Sequence, residues 1–396
     1  MNLLPPDILR YIASFGVIPH PSVCKNWSIA TSFSSIQNDF GLQTVYFYSP
    51  MKRIFEIFVG ERTQKLVLLN PKDIISNMIF TYSNLISLNL SFSKITQLPA
   101  FPPRLQKLSL FEMSQLPLIP DFPSSLKESE LSLLYVLTKV PDFPSSLQIL
   151  SLENLNCIIE LPDFPSSLRK LSLKKIKRLS KISKFPLSLQ ELEIRNLGFT
   201  EIHSFPPKLK NLTLCDMRKL SKISGFSLSL QELEIRSLGL IELHSLPPKL
   251  KNLTLCNMNK LSKISEFPSS LRKLIISNLI LTRIPKFPLK LKSFWSFRMT
   301  LHKFPKFPRF LKDLNIFNCI VDKLPDFPSS LQQLKLQHIR GISIIPEFPS
   351  SLQIVKIFDL PPDIQIPFCG FTSSSQSHSR VLLESRVLLE SSSPPL

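Results

Sequence analysis

PDFPSSLQILSL, residues 141–152, joins a proline phrase to an alternating run of leucines. PDFPSSL also begins at Pro120, Pro162 and Pro325. Its P-x-x-P can be read as a displayed ligand for a domain that binds proline-rich peptides, or as one part of a structural unit. The rest of the chain separates the two. Taking the phenylalanine of each F-P-x-x-L-like phrase as marker, it falls at Phe101, Phe122, Phe143, Phe164, Phe185, Phe205, Phe226, Leu246, Phe267, Phe287, Phe307, Phe327 and Phe348. The interval never varies by more than a single position, as an internal repeat requires. Leucine stands four residues after every marker, from Leu105 to Leu352. Three residues further on the position is apolar in every unit except at Ser129, and two beyond that it is apolar except at Ser296. Leu, Ile, Val or Phe stands three residues before each marker, from Leu98 to Ile345. Leu85, Leu88 and Leu90, followed by Ile95 and Leu98-Pro99, make an earlier unit of the same type.

Alternation at period two makes L-x-x-L-x-L a strand with its leucines on one side. The proline-rich half cannot be a helix interior, because proline lacks an N–H and clashes with the preceding turn. An extended, polyproline-like return fits it. One unit cannot bury its leucines alone, but stacked units can. The expected fold is therefore a repeat solenoid. Ser180–Leu220 and Ser221–Leu261 align at an offset of 41 without a gap, which makes His203 and His244 copies of one another.

The columns from Leu85 to Phe368 resemble short leucine-rich repeats, most closely the shortest type, whose segment opposite the strand is extended. The resemblance implies a curved parallel β-sheet with an extended, non-helical convex side. One departure stands out. The column that often holds a ladder-forming asparagine is apolar here, with Met113, Leu134, Leu155, Ile176, Leu197 and Met217, so backbone satisfaction at that turn must differ.

LPPDILRYIASF, from Leu4, has a helix-start signal in Pro6 and Asp7 and an apolar face in Ile8, Leu9, Ile12 and Phe15. VCKNW follows at Val23–Trp27. This order resembles an F-box, with the connector GVIPHPS several residues shorter than usual. The resemblance implies a small α-helical module over residues 1–40 that docks on the Skp-type adaptor of a cullin–RING ubiquitin ligase. Leu4, Pro5, Ile8, Leu9 and Ile12 would then contribute to docking, and Val23, Cys24 and Trp27 would anchor the helices. The bland alternative is a helical cap on the first repeat. Residues 41–84, with the apolar runs TVYFY and KLVLL, read as transitional or irregular first repeats. The solenoid is expected over 85–368, and the serine-rich segment 369–396, which repeats VLLES, is expected to be disordered.

Composition narrows function. With 8 glycines and no G-x-G-x-x-G or G-x-x-x-x-G-K-[ST], the usual phosphate-cradling loops are missing. Cys24, Cys157, Cys215, Cys256, Cys319 and Cys369 form no C-x-x-C, and the six histidines are scattered without metal-ligand spacing. No G-x-S-x-G appears. Neither an enzyme nor a cofactor is expected. No apolar run is long enough to span a bilayer and no basic leader segment occurs, so no membrane span is expected. A reducing cytoplasmic location fits, with the nucleus as the alternative. The net charge of +19 is compatible with a polyanion partner, but the lysines are spread along the chain, as expected of cations that keep an apolar solenoid soluble. Arg169–Lys184 carries eight basic residues and no acid, yet its inward leucines keep register and no aromatics interleave it. Nucleic acid is therefore not the expected partner.

The outward positions of the strands are where binding would sit. They are mostly polar in earlier units, as at Ser151/Glu153 and Glu193/Arg195. In later units they become Trp295/Phe297, Asn315/Phe317 and Lys356/Phe358. With Arg298, these residues (Trp295, Phe297, Phe317, Lys356 and Phe358) form a candidate substrate-docking patch. The alternative is that Ser296 marks a local shift that turns Trp295 and Phe297 into the core. The resulting expectation is a non-catalytic receptor that binds an unidentified protein substrate and recruits a Skp–cullin–F-box ligase. A scaffold without a ligase link and a polyanion-binding solenoid are the alternatives.

Overall fold

Alternating leucines produce strands, and the strands repeat as the spacing predicts. A computed structural model describes residues 43–48, 63–69, 84–367 except 180, 183 and 282, and 380–384. The chain divides into two compact units, one running to Leu189 with Asn196–Gly198, the other comprising Gln190–Arg195 and the chain from Phe199 onward.

The first unit holds β1 (Gln43–Tyr48), β2 (Thr63–Leu69), β3 (Ser87–Ser91), β4 (Lys107–Phe111), β5 (Glu128–Ser132), β6 (Ile149–Glu153) and β7 (Lys170–Lys174). Each pairs in parallel with the next, from β1 on β2 to β6 on β7. TVYFY and KLVLL thus lie in the same parallel ladder as the regular repeats. The register keeps like columns together, with Leu108 beside Ser129, Leu150 and Leu171 in turn. Burial follows the alternation: Leu108 and Leu110 of β4 are buried, while Lys107, Ser109 and Phe111 are not.

The second unit has the same plan. Its long strands are β8 (Glu191–Arg195), β10 (Asn211–Cys215), β12 (Glu232–Arg236), β14 (Asn252–Met258), β16 (Lys273–Leu279), β17 (Ser293–Phe297), β19 (Asp313–Phe317), β21 (Gln333–Gln337) and β22 (Ile354–Phe358), again parallel and in order. Short strands in the return segments pair coil to coil: β9 (Glu201–Ile202) with β11 (Lys222–Ile223), β13 (Glu242–Leu243) with β15 (Lys263–Ile264), and β18 (Thr300–Lys303) with β20 (Ile320–Lys323). No helix occurs among the described residues, so the returns are extended. Within the segment expected to be disordered, Arg380–Glu384 form β23, parallel to β22.

The proline phrase has a defined place in each coil. The carbonyl of Pro102 accepts from the N–H of Leu105 at 3.1 Å, and Pro123/Leu126 and Pro144/Leu147 repeat the bond at 3.0 and 3.1 Å. F-P-x-x-L is thus a turn that delivers its leucine to the next strand. Most marker phenylalanines are buried, and runs of them stack on one another. Phe101, Phe122, Phe143 and Phe164 have successive ring centroids 6.3, 6.2 and 5.8 Å apart with planes within 12°. Phe287, Phe307, Phe327 and Phe348 repeat this at 6.2 Å. Offset stacking of this kind adds to the area each ring buries.

Two polar devices replace the asparagine ladder. In many coils a serine stands before the first leucine of the L-x-x-L-x-L run and donates its hydroxyl to the leucine carbonyl of the preceding coil. Ser125 Oγ reaches Leu105 O at 2.7 Å, Ser146 reaches Leu126 at 2.6 Å and Ser167 reaches Leu147 at 2.6 Å. In the second unit Ser270, Ser330 and Ser351 do the same at 2.7 Å. At the end of the long strands from β3 onward, and just inside that end in β14 and β16, the backbone turns left-handed, with φ between 48° and 58° at fourteen non-glycine residues from Phe92 to Asp359. The N–H of that residue extends the ladder by one bond, as Glu112 N to Ser132 O at 3.0 Å and Asn318 N to Gln337 O at 2.8 Å. Backbone hydrogen bonds therefore satisfy the turn where the neighbouring column is apolar.

Candidate outward-face binding site

The strand β17 decides whether Trp295 and Phe297 are surface or core. Its inward residues are Phe294 and Ser296, both fully buried. The enlarged Phe294 packs against Phe287 at 4.7 Å and Phe304 at 5.7 Å between centroids. The reduced Ser296 places its hydroxyl 3.6 Å from Cys319 Sγ. A large residue in one inward column is offset by a small one in the next, so volume is kept and the register does not shift. Trp295 and Phe297 consequently stay on the outward face, half-buried.

Three rows run across this face. Ile275, Trp295, Asn315, Lys335 and Lys356 are successive partners, flanked by Lys273, Ser293, Asp313, Gln333 and Ile354 on one side and Ser277, Phe297, Phe317, Gln337 and Phe358 on the other. The Trp295 indole N–H donates to Asp313 Oδ2 at 2.6 Å, and Ser293 Oγ donates to the same oxygen at 2.8 Å. Lys273 Nζ sits 4.6 Å from the Trp295 ring centroid, a cation–π placement. Trp295 meets Phe297 edge-on, with centroids 6.3 Å apart and planes at 85°. Phe297 is 6.3 Å from Phe317, and Phe317 meets the His338 ring edge-on at 5.6 Å. His338 Nε2 lies 3.3 Å from Asp359 Oδ2. Asn315 Oδ1 is enclosed and has no hydrogen-bond partner among the described residues.

Of the residues singled out from the sequence, Trp295, Phe297 and Phe317 come together as one ring cluster. Arg298 is exposed at the left-handed turn of the same coil, its N–H bonded to Phe317 O at 3.0 Å. Lys356 and Phe358 share the rows but make no ring contact with the cluster. Lys273, Asp313 and His338 were missed. Aligning the repeats would have shown them, since Lys273 and Asp313 each stand one register step from Ser293. Leu4, Pro5, Ile8, Leu9, Ile12, Val23, Cys24 and Trp27 lie outside the described residues.

Other chemistry on the described surface is sparse. Among the described residues, no group of three or more His, Cys, Asp or Glu is placed to hold a metal ion. Burial pushes the Cys215 thiol up to about 11 and raises those of Cys256 and Cys319, so all three are protonated thiols at neutral pH. In the basic run, Leu171, Leu173, Ile176 and Leu179 are buried and Lys175 pairs with Glu153 at 3.3 Å. No helix among the described residues is long and apolar enough to cross a membrane.

Parallel coils with inward leucines, a strand on one side and an extended return on the other define a leucine-rich-repeat fold. Comparison with solved structures agrees. A leucine-rich-repeat protein named CroV588 aligns with a TM-score of 0.54 at 19% identity, over 79% of this chain and 54% of that chain. This chain therefore spans about half the length of that one. YopM from Yersinia enterocolitica is 20% identical over 75% of this chain and 77% of its own, with a TM-score of 0.43. A leucine-rich-repeat protein from Leptospira interrogans is 20% identical over 78% and 90%, with a TM-score of 0.44. No protein-family model matches the sequence, and neither does any curated protein.

Proposed function

We propose that this protein is a non-catalytic interaction scaffold whose coils present the Trp295–Phe297–Phe317 cluster to a protein partner, and whose residues 1–40 recruit a Skp-type adaptor and its cullin ligase. The observation that carries the first half is the position of Trp295. A large ring held half-buried on a sheet face by Asp313 and Lys273 is pre-oriented, and immobilised aromatics lose little entropy on binding. The second half rests on LPPDIL and VCKNW, in the order an F-box carries them. The unidentified partner bound by the coils would then be the substrate presented to the ligase.

The test uses purified Skp-type adaptor with the intact chain and with a variant lacking residues 1–40. Capture by the intact chain alone is expected, with the variant's circular-dichroism melt retained. Absence of capture by the intact chain at micromolar protein contradicts the ligase link and leaves a scaffold without it.

A further inference from the structure

The residue preceding each long strand forms a column of its own on the edge of the sheet. In many rungs it is glutamine: Gln106, Gln148, Gln190, Gln231, Gln332 and Gln353. The fold therefore has no need of a cation there. Single cations stand between glutamines at Lys127, Arg169 and Lys210, but Lys251, Arg272, Lys292 and Lys312 occupy four consecutive rungs. Their adjacency is set by the backbone: Arg272 N bonds Lys251 O, Lys292 N bonds Arg272 O and Lys312 N bonds Lys292 O, each at 2.8 Å. All four side chains are exposed, and none forms an ion pair with a described residue. Lys251 Nζ donates to the neutral Gln231 Oε1 at 2.8 Å, which leaves its charge uncompensated. Neighbouring rungs are about 4.8 Å apart, so like charges repeat at a spacing that costs stability. Glutamine would remove that cost.

The cation column also lies beside the ring cluster. Lys292 precedes Trp295 by three residues, roughly 10 Å along an extended chain. One extended ligand can therefore touch both. On the outward rows from β16 to β22 the only carboxylate is Asp313, and it already accepts from Trp295 and Ser293. We infer that the column Lys251–Arg272–Lys292–Lys312 and the adjoining rings of Trp295 and Phe297 bind a carboxylate-rich protein segment that carries a large apolar side chain. This rests on the scaffold reading above and gives its partner a chemical class. Single-stranded nucleic acid fits less well. Base stacking needs an open ring face. Lys273 lies over the face of Trp295, and Trp295 and Phe297 meet edge to face.

The test titrates the full-length protein with a fluorescent peptide of glutamates flanking one phenylalanine. The controls are the same peptide with glutamine for glutamate, and oligo-deoxythymidine. The variant R272Q/K292Q/K312Q installs the side chain that other rungs already carry, so its fold is kept. Expected are saturable binding of the acidic peptide, weakening with salt, and about tenfold or greater loss in the variant. Loss is also expected when glutamine replaces glutamate in the peptide. Equal binding to protein and variant overturns the inference. So does tighter binding of oligo-deoxythymidine that the variant abolishes. Adaptor capture by residues 1–40 is read separately. Peptide failure with capture intact removes only the acidic class of partner.

Discussion

Single residues carry opposite lessons at the two serines that break the leucine columns. Ser296 is compensated: Phe294 takes up the volume, and its hydroxyl lies beside Cys319 Sγ. Ser129 is buried between Leu108 and Leu150, and its hydroxyl has no partner among the described residues. A buried unmade hydrogen bond costs roughly 1–3 kcal/mol. Ser129→Ala removes that hydroxyl at little loss of volume and is expected to raise stability by about 1 kcal/mol. Urea unfolding of the two proteins measures it, and an unchanged or lower midpoint would show that water reaches the hydroxyl. The leucine and phenylalanine columns were legible because each inward residue must match its neighbours one coil away. The partners of Trp295 were harder to see. Lys273 belongs to the coil before it and Asp313 to the coil after it, and only the stacking register brings them near.

At the scale of an element, the left-handed residue that ends the long strand run was invisible in the sequence. Asparagine or aspartate fills it at Asn154, Asn196, Asp216, Asn257, Asn278, Asn318 and Asp359, residues that tolerate positive φ. Phe92, Leu133, Lys175 and Arg298 dilute that signal. Leu133, with φ of 58°, holds a conformation its side chain disfavours. Leu133→Asn is expected to stabilise by roughly 0.5–1 kcal/mol, read as a higher thermal midpoint, and a fall would show that the leucine's packing outweighs backbone strain. The serine ladder escaped notice for a related reason. A serine in PSSL looks like turn filler, and its acceptor is a main-chain carbonyl one coil earlier. An apolar column at the following turn therefore costs nothing in backbone satisfaction.

For the whole molecule, regularity and departure from it divide the labour. The turns, the phenylalanine stacks and the inward leucines repeat in both units and account for the fold. P-x-x-P belongs to that framework, since the phenylalanine between its prolines is stacked inside. What does not repeat is the Trp295–Phe297–Phe317 cluster on the outward face and the run of four consecutive cations at its edge. In earlier coils the same rows are mostly polar, with Phe111 an exception, and the edge column alternates single cations with glutamine. The central claim is that Trp295 and Phe297 serve binding, whereas Phe294 on the inward side of the same strand serves stability. The direct measurement compares W295S/F297S with F294A, scoring urea unfolding and acidic-peptide binding together. The account predicts that F294A loses about 3–5 kcal/mol of stability, and that W295S/F297S loses less than about 2 kcal/mol while binding falls about tenfold or more. A double variant that unfolds as readily as F294A, or that binds as tightly as the parent, would contradict it.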